Sequence, residues 1–209
     1  MSSRNVRKEH RDNKPEHMKT MIKLAALALA TGLGLNANAQ MEGGMMKEKT
    51  VEVGGAPMYP SRNIIENAVN SKDHTTLVAA VKAAGLVETL SGPGPFTVFA
   101  PTNAAFDKLP KGTVDNLLKP ENKARLTGVL TYHVLAGKFS AKEVMAAIKK
   151  GGGKATMKTV AGGDLSFSLK GDKVLVSDAS GGIALVTIAD VNQSNGVIHV
   201  VDSVMLPKM

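Results

Sequence analysis

Five short runs rich in apolar and β-branched residues follow Lys154, and a turn dipeptide separates each run from the next. Runs of this kind, bounded by glycine-containing dipeptides, predict strands that are joined by hairpins. The predicted strands cover residues 155–160, 164–169, 173–177, 183–191 and 197–206. The last break is Asn195-Gly196, which predicts a type I′ turn with positive φ angles. The C-terminal part of the chain is therefore predicted to be a series of antiparallel strands.

The preceding part of the chain has helical periodicity instead. A helix is predicted to begin near Asp73 or Thr75 and to end at Gly85. A longer helical stretch follows Pro120, and the capping box Ser140–Glu143 opens another helix. Residues 96–100 and 133–135 add two strand-like runs, which makes about seven strands. Helices in the first half and strands in the second predict an α+β fold in one domain.

The N-terminus has the features of a secretory signal peptide. Residues 24–35 form a 12-residue apolar core after Lys19 and Lys23, and Ala37-Asn38-Ala39 is an A-x-A cleavage site before Gln40. A transmembrane helix needs about 20 apolar residues. We therefore expect residues 1–39 to be an extended n-region and signal peptide cleaved between Ala39 and Gln40. The mature protein would then be secreted to the periplasm or the extracellular space without a membrane anchor.

The mature chain is predicted to begin with a flexible leader. Residues 40–61 contain several glycines and prolines and little periodicity. Regular patterning begins at Arg62, so the predicted domain covers residues 62–208.

Composition argues against several function classes. The net charge is +8, but 19 basic and 15 acidic residues remain from Gln40 onward, and Arg62 and Arg125 are the only arginines among them. The chain has five Phe, two Tyr and no Trp. Nucleic-acid binding usually relies on arginine clusters and stacking aromatics, so we expect no nucleic-acid partner. With no cysteine, disulfides, thiolate nucleophiles and Cys-based metal sites are excluded.

No catalytic machinery is visible. The mature chain has three histidines, His74, His133 and His199, and no two of them have the spacing of a metal-binding motif. His74 is expected to be solvated at a helix start, and a three-histidine site assembled in space stays open. No G-x-S-x-G nucleophile elbow occurs. We expect no enzyme activity, no cofactor and no metal ion.

The surroundings of His199 predict a structural role. Val197, His199 and Val201 alternate with Ile198 and Val200, so both faces of this strand are mostly apolar. Such a strand is central and covered on both sides. A buried neutral imidazole needs hydrogen-bond partners, and one is expected to be a backbone carbonyl or a side chain of a neighbouring segment.

Three segments together resemble the fasciclin domain family, and the resemblance covers roughly Arg62 to Pro207. Tyr132-His133-Val134 resembles its central motif. Residues 94–106 resemble its first hallmark box, with Phe96, Thr97, Phe99, Pro101, Asn103 and Phe106. The second resembles residues 195–207, with Asn195, Gly196, His199 and Asp202. The resemblance implies a wedge-shaped β-sandwich of about seven strands, with several helices packed mainly from the N-terminal half.

The resemblance also implies an extracellular, non-enzymatic role in cell adhesion or matrix contact. In animal relatives a Tyr-His motif and an Asp-Ile dipeptide are tied to integrin binding, and they match Tyr132, His133, Asp190 and Val191 here. Valine replaces isoleucine in the second pair. Structural roles are the alternative: Tyr132 packs its ring and bonds through its hydroxyl, and Asp190 caps the hairpin.

The sequence is consistent with three functions. The first is a bacterial adhesion or matrix-binding module, acting as a monomer on a cell-surface or matrix protein or a polysaccharide, for example in biofilm. A charge of about +4 after Gln40 favours acidic polymers. The second is a periplasmic binder of a lipid or hydrophobic metabolite, which needs an apolar pocket. The third is a hydrolase or metal enzyme acting through His133 and His199.

Overall fold

The computed structural model of the protein describes residues 48–208. The predicted signal peptide, its cleavage point between Ala39 and Gln40, and the start of the predicted leader lie outside these residues. Within residues 48–208, no helix has both the length and the apolar character needed to cross a bilayer.

The described residues form seven α-helices and nine β-strands, together with single 3₁₀ turns at Lys72–His74 and Pro120–Asn122. The helices are α1 (Ile64–Ala68), α2 (Thr75–Ala84), α3 (Val87–Ser91), α4 (Asn103–Asp107), α5 (Thr113–Leu117), α6 (Lys123–Tyr132) and α7 (Ala141–Lys150). The strands are β1 (Val51–Val53), β2 (Ala56–Met58), β3 (Phe96–Pro101), β4 (Val134–Ala136), β5 (Lys154–Lys158), β6 (Asp164–Lys170), β7 (Lys173–Ser177), β8 (Ile183–Gln193) and β9 (Gly196–Val201).

Local capping signals place several of the helices. Gly85 ends α2 in the left-handed conformation with φ of 75°, as expected for a C-terminal glycine. Thr102 caps α4 by accepting a hydrogen bond from the Ala105 amide. Ser140 and Glu143 form the predicted capping box of α7. Because these devices act within four residues, they are readable from the sequence.

The predicted flexible leader is wrong for residues 51–58. Strands β1 and β2 pair as an antiparallel hairpin in which Val53 faces Ala56. Val53 and Met58 are buried in the core. The Lys72 amide donates to the Gly54 carbonyl, which ties the hairpin tip to the chain ahead of α2. The ordered domain therefore begins before Arg62, because these apolar side chains have a core to enter.

Seven strands form one sheet in the order β4-β3-β9-β8-β7-β6-β5. Strand β8 belongs to both halves of the sheet. Its start pairs with β7, its end pairs with β9, and register shifts lie between Val186 and Val191. A bridge between Leu135 and Thr159 brings the two ends of the sheet together. The resulting fold is α+β with a wedge-like, nearly closed sheet, as the resemblance implied.

Two hydrophobic cores lie on opposite faces of β3 and β9. Val98, Ile198 and Val200 pack against helices α1 to α6 in the first core. Phe99 and Val201 face the other half of the sheet and helix α7 in the second core. The rings of Phe99 and Phe167 lie 5.4 Å apart there. Strand β9 is central and buried at all six positions, which confirms its predicted coverage on both faces.

Candidate functional site

The three family-like segments meet at one end of the sheet order, where β4, β3 and β9 are neighbours. β3 and β9 are parallel neighbours, with Phe96 opposite Gly196 and Pro101 opposite Val201. β4, which follows Tyr132-His133, pairs antiparallel with the other edge of β3. About one hundred residues separate the first segment from the last. Their adjacency makes this region the candidate site, and its hydrogen bonds show what the residues do.

The predicted type I′ turn at Asn195-Gly196 is wrong. Neither residue has a positive φ, and Gln193 pairs with Gly196, so Ser194 and Asn195 form the turn. Glycine is needed at 196 for a different reason: a Cβ there would lie 2.1 Å from the Phe96 carbonyl oxygen. Close approach of β9 to β3 therefore selects glycine at this position.

Asn195 connects three backbone segments through one side chain. Its Oδ1 accepts from the Ile64 amide at 3.0 Å. Its Nδ2 donates to the carbonyls of Leu90 at 2.8 Å and Gly92 at 3.0 Å. These bonds hold the start of α1 and the end of α3 against the β8–β9 turn. The amide is a framework group rather than a ligand-binding group.

His199 is a buried pin, as predicted. Its side chain is 2% exposed, and its Nε2 donates to the Phe139 carbonyl at 2.8 Å. Its Nδ1 accepts from the Asp190 amide at 3.3 Å. These two backbone partners determine the neutral tautomer with the proton on Nε2. Burial lowers the pKa of His199 below its ordinary value, so the imidazole is neutral near pH 7.

Asp190 links this histidine to helix α7. Its backbone is left-handed, with φ of 57°, at the irregular part of β8. Its Oδ1 accepts from the Ala141 amide at 2.8 Å, so the carboxylate caps the first turn of α7. The expected cap of the β8–β9 hairpin is therefore wrong, because the side chain turns toward the helix instead.

Tyr132 packs in the second core, and His133 follows it at the end of α6. The Tyr132 hydroxyl donates to the Asp164 carbonyl at 2.7 Å and accepts from the Ala179 amide at 3.1 Å. His133 is 3% exposed. Its Nδ1 donates to the Val129 carbonyl at 2.8 Å, and burial lowers its pKa to about 4. The packing and hydroxyl bonding expected for Tyr132 are therefore present.

The four positions matched to integrin binding offer a partner little surface. Tyr132, His133 and Val191 are buried, and Asp190 is partly exposed with its carboxylate bonded to Ala141. Each position connects elements of the fold. Among the hallmark positions, Phe99, Phe106 and Thr97 are likewise buried, and Asn103 bonds the Thr76 amide and the Lys72 carbonyl. Asp202 accepts from the Leu185 amide at 2.8 Å.

The expectation of a solvated His74 is wrong. Its side chain is 3% exposed and lines an apolar cavity of about 50 Å³ between the helices and the sheet, which His133 also lines. Its Nδ1 and the Ser71 hydroxyl are 2.9 Å apart. Ligand pockets usually measure about 300–1,000 Å³, so this cavity is too small for a lipid. Within residues 48–208, no cluster of three or more His, Asp or Glu residues is arranged to hold a metal ion.

The outer surface of β5 to β8 is the feature that sequence analysis missed, and it is here called the open face. Residues on it are partly or fully exposed, whereas alternate residues enter the second core. Ile183 is 60% exposed there. Its other side chains are mostly lysines and hydroxyls: Lys154, Lys158, Lys170, Lys173, Thr156, Ser166, Ser168 and Ser177. The alternation of these polar residues with apolar ones was the sequence signal available.

Comparisons with known proteins agree with this architecture. A family model described as the Fasciclin domain matches residues 72–207. The chain is 46% identical over 196 residues to the protein sll1483 of Synechocystis sp., covering 92% of this chain and 100% of that protein. It is 36% identical over 145 residues to the cell surface glycolipoprotein MPB83 of Mycobacterium bovis, covering 67% of this chain and 58% of that protein.

A solved structure shares the fold. It is a FAS1 domain pair from the insect cell adhesion molecule fasciclin I, with a TM-score of 0.62 and 14% identity over 77% of this chain and 58% of that chain. The family match covers more than half of the sequence, and the three motifs lie on or beside the neighbouring strands β4, β3 and β9 of the same fold. The chain belongs to the fasciclin domain family.

Proposed function

We propose that the protein is a secreted or periplasmic, non-enzymatic adhesion module that binds an acidic polysaccharide through its open face. The observation that carries the proposal is the uncovered surface of β5 to β8. It carries four exposed lysines and a row of hydroxyl side chains, and its acidic residue, Asp164, lies opposite Lys158. Lysines complement carboxylate or sulfate groups, and hydroxyls can bond sugar hydroxyls.

The spacing of these groups suits a polymer rather than a small molecule. Thr156 faces Ser166, and Ser166 faces Ser177 on the next strand. Neighbouring strands lie about 4.8 Å apart, so such rows extend across the sheet at distances similar to a sugar repeat. Lys170 and Lys173 face each other at one end of the surface. Similarity to a protein named a cell surface glycolipoprotein supports a location at the cell surface.

An indirect role in this proposal falls to the four positions matched to integrin binding, which are Tyr132, His133, Asp190 and Val191. They hold helix α7 and the C-terminal segment against the sheet, through the bonds of Asp190 to Ala141 and of His133 to Met205. We therefore assign them to the framework behind the binding surface. We further propose that the protein acts as a monomer.

A binding assay on an immobilised polyuronate, such as alginate, tests the proposal, with neutral dextran as the reference polymer. Replacing Lys154, Lys158, Lys170 and Lys173 together by Gln should weaken alginate binding by roughly tenfold or more, since exposed charge pairs each contribute about 0.2–1 kcal/mol. Added salt should weaken binding of the unaltered chain, because these charges are exposed to solvent.

A matched variant has the same change of charge on the helical side, with Gln at four exposed lysines outside the open face: Lys72, Lys111, Lys119 and Lys123. This variant should bind alginate within about twofold of the unaltered chain. Equal losses in both variants, or equal binding to alginate and dextran, would show that the open face does not bind an acidic polymer.

A further inference from the structure

A second concave site lies on the helical side, away from the open face, and is here called the α5–α6 groove. It has a volume of about 320 Å³ and lies between α5, α6 and the C-terminal segment. This volume falls in the range of small-molecule sites, which is about 300–1,000 Å³. Leu117 and Val129 are buried beneath it, and Leu206 and Pro207 form a wall. The groove therefore has an apolar interior.

Polar groups that bond no residue of the range 48–208 lie at its rim. The Arg125 side chain lines the groove, and within residues 48–208 the ion pair present joins Lys108 to Asp202 instead. Arg125, the Thr113 hydroxyl and the Asn116 Nδ2 make no hydrogen bond to any described residue. Asn122, by contrast, is occupied, since its Nδ2 donates to the Asn116 carbonyl at 2.7 Å. The guanidinium is thus the one cationic group lining the described groove.

The walls of the groove are held in place before any ligand arrives. The Leu206 amide donates to Asp178 Oδ2 at 2.8 Å, and the Met205 amide donates to His133 Nε2 at 3.0 Å. The same imidazole donates to the carbonyl of Val129, at the base of the groove. His133 therefore fixes the distance between the helix and the C-terminal wall. A site built this way loses less conformational entropy on binding.

We propose that the α5–α6 groove binds a small carboxylate with an apolar body, such as an aliphatic or aryl-substituted carboxylic acid. The apolar body lies on Leu117 and Val129, and the carboxylate accepts two parallel hydrogen bonds from Arg125. An arginine fork matches a carboxylate in this bidentate way, and charge-assisted bonds of this kind are about twice as strong as neutral ones. The inference goes beyond the adhesion proposal and uses none of the open-face residues.

Gly128 offers a direct way to fill the groove. It lies on α6, it lines the groove, and a Cβ added to it meets no atom within 4 Å. A Gly128→Leu side chain would therefore enter open space rather than clash with the fold. Leucine is also a better helix former than glycine, so the variant should melt no lower than the unaltered chain.

The test is a titration of the ¹⁵N-labelled protein with octanoate and with phenylacetate, followed by amide chemical shifts. We expect saturable shifts clustered at Thr113, Gly128, Val129 and Leu206. Octanamide, which lacks the charge, should bind at least about tenfold more weakly. Arg125→Gln should weaken octanoate binding by a similar factor, Gly128→Leu should abolish it, and the matched charge variant Lys111→Gln should leave it unchanged.

Several results would overturn the assignment. One is the absence of saturable shifts at about 10 mM probe, since a dissociation constant above that concentration is too weak for a binding site. Another is equal binding of octanoate and octanamide. Full octanoate binding by Arg125→Gln, or by a folded Gly128→Leu variant, would also contradict it. The variant in which the four open-face lysines are replaced by Gln should bind octanoate normally. Loss of octanoate binding and loss of polysaccharide binding are therefore separate results.

Discussion

His133 and Met205 are joined by a hydrogen bond across 72 positions of sequence, from the Met205 amide to Nε2 of the imidazole at 3.0 Å. The other ring nitrogen donates to Val129 in α6. One neutral side chain thus connects a helix to the C-terminal segment in the interior. A protonated imidazole cannot accept from the Met205 amide, so the charge state of His133 determines whether this connection exists.

The first prediction concerns pH. Burial lowers the pKa of His133 from 6.5 to about 4, so the unfolded state takes up a proton first as the pH falls below about 6.5. Stability should therefore decrease between about pH 6.5 and 4 and level off below, by about 3 kcal/mol for this group. The lowered pKa values of His74 and His199 act in the same direction. Urea unfolding at a series of pH values measures the effect.

A His133→Gln variant serves as the control for that experiment. It should be less stable at pH 7, and its stability should change less between pH 6.5 and 4, because the titrating group is gone. The same slope in both proteins would mean that His133 is not the group responsible.

The second prediction concerns His199. His199→Val leaves the Asp190 amide and the Phe139 carbonyl without partners and should lower the free energy of unfolding by about 1–3 kcal/mol. His199→Asp should cost more, since a carboxylate would be buried beside a carbonyl. Thermal and urea unfolding check both variants. A folded His199→Asp protein with unchanged melting would disprove the burial of this side chain.

The third prediction concerns Asp190. Asp190→Asn keeps an acceptor for the Ala141 amide and tolerates a left-handed backbone, so it should change stability by less than about 0.5 kcal/mol. Asp190→Ala removes the cap and strains the backbone, and should cost about 1–3 kcal/mol. Urea midpoints compare the pair. Equal midpoints for the two variants would argue against the capping role.

The fourth prediction compares two glycines. A Cβ at Gly196 would lie 2.1 Å from the Phe96 carbonyl oxygen, so Gly196→Ala should separate β9 from β3 and cost about 1–3 kcal/mol or more. Gly128→Ala places its methyl group in open space on a helix and should stabilise the protein by up to about 1 kcal/mol. Differential scanning calorimetry of both variants measures the contrast. A Gly196→Ala protein that melts at the unaltered temperature would show that the strands have room to separate.

Sequence patterns that act over a few residues predicted their structures well. Three kinds of feature form where they were expected: the capping box at Ser140, the C-terminal glycine of α2 and the strands of the second half. The last strand ends at Val201 rather than at 206. The alternation around His199 also predicted a central strand, because both faces of that strand are apolar in the sequence itself.

Longer-range features could not be read in the same way. The hairpin at residues 51–58, the burial of His74 and the reason for glycine at 196 all depend on segments that are distant along the chain. Asn195-Gly196 suggested a turn type, yet the tight contact with Phe96 is what selects the glycine. A local pattern cannot report which backbone will pack against it.

The sequence by itself determined the α+β class, the helix caps, the alternation of the strands and, through three motifs, the family. Tertiary structure decided that β3 and β9 lie side by side, that Asp190 caps α7, and which face of β5 to β8 stays uncovered. The physical reason is the range of the interactions. Periodicity and capping involve residues within a few positions of one another, whereas the contacts of Asp190 and of β3 with β9 join residues from 49 to about 100 positions apart and form only when the whole chain packs.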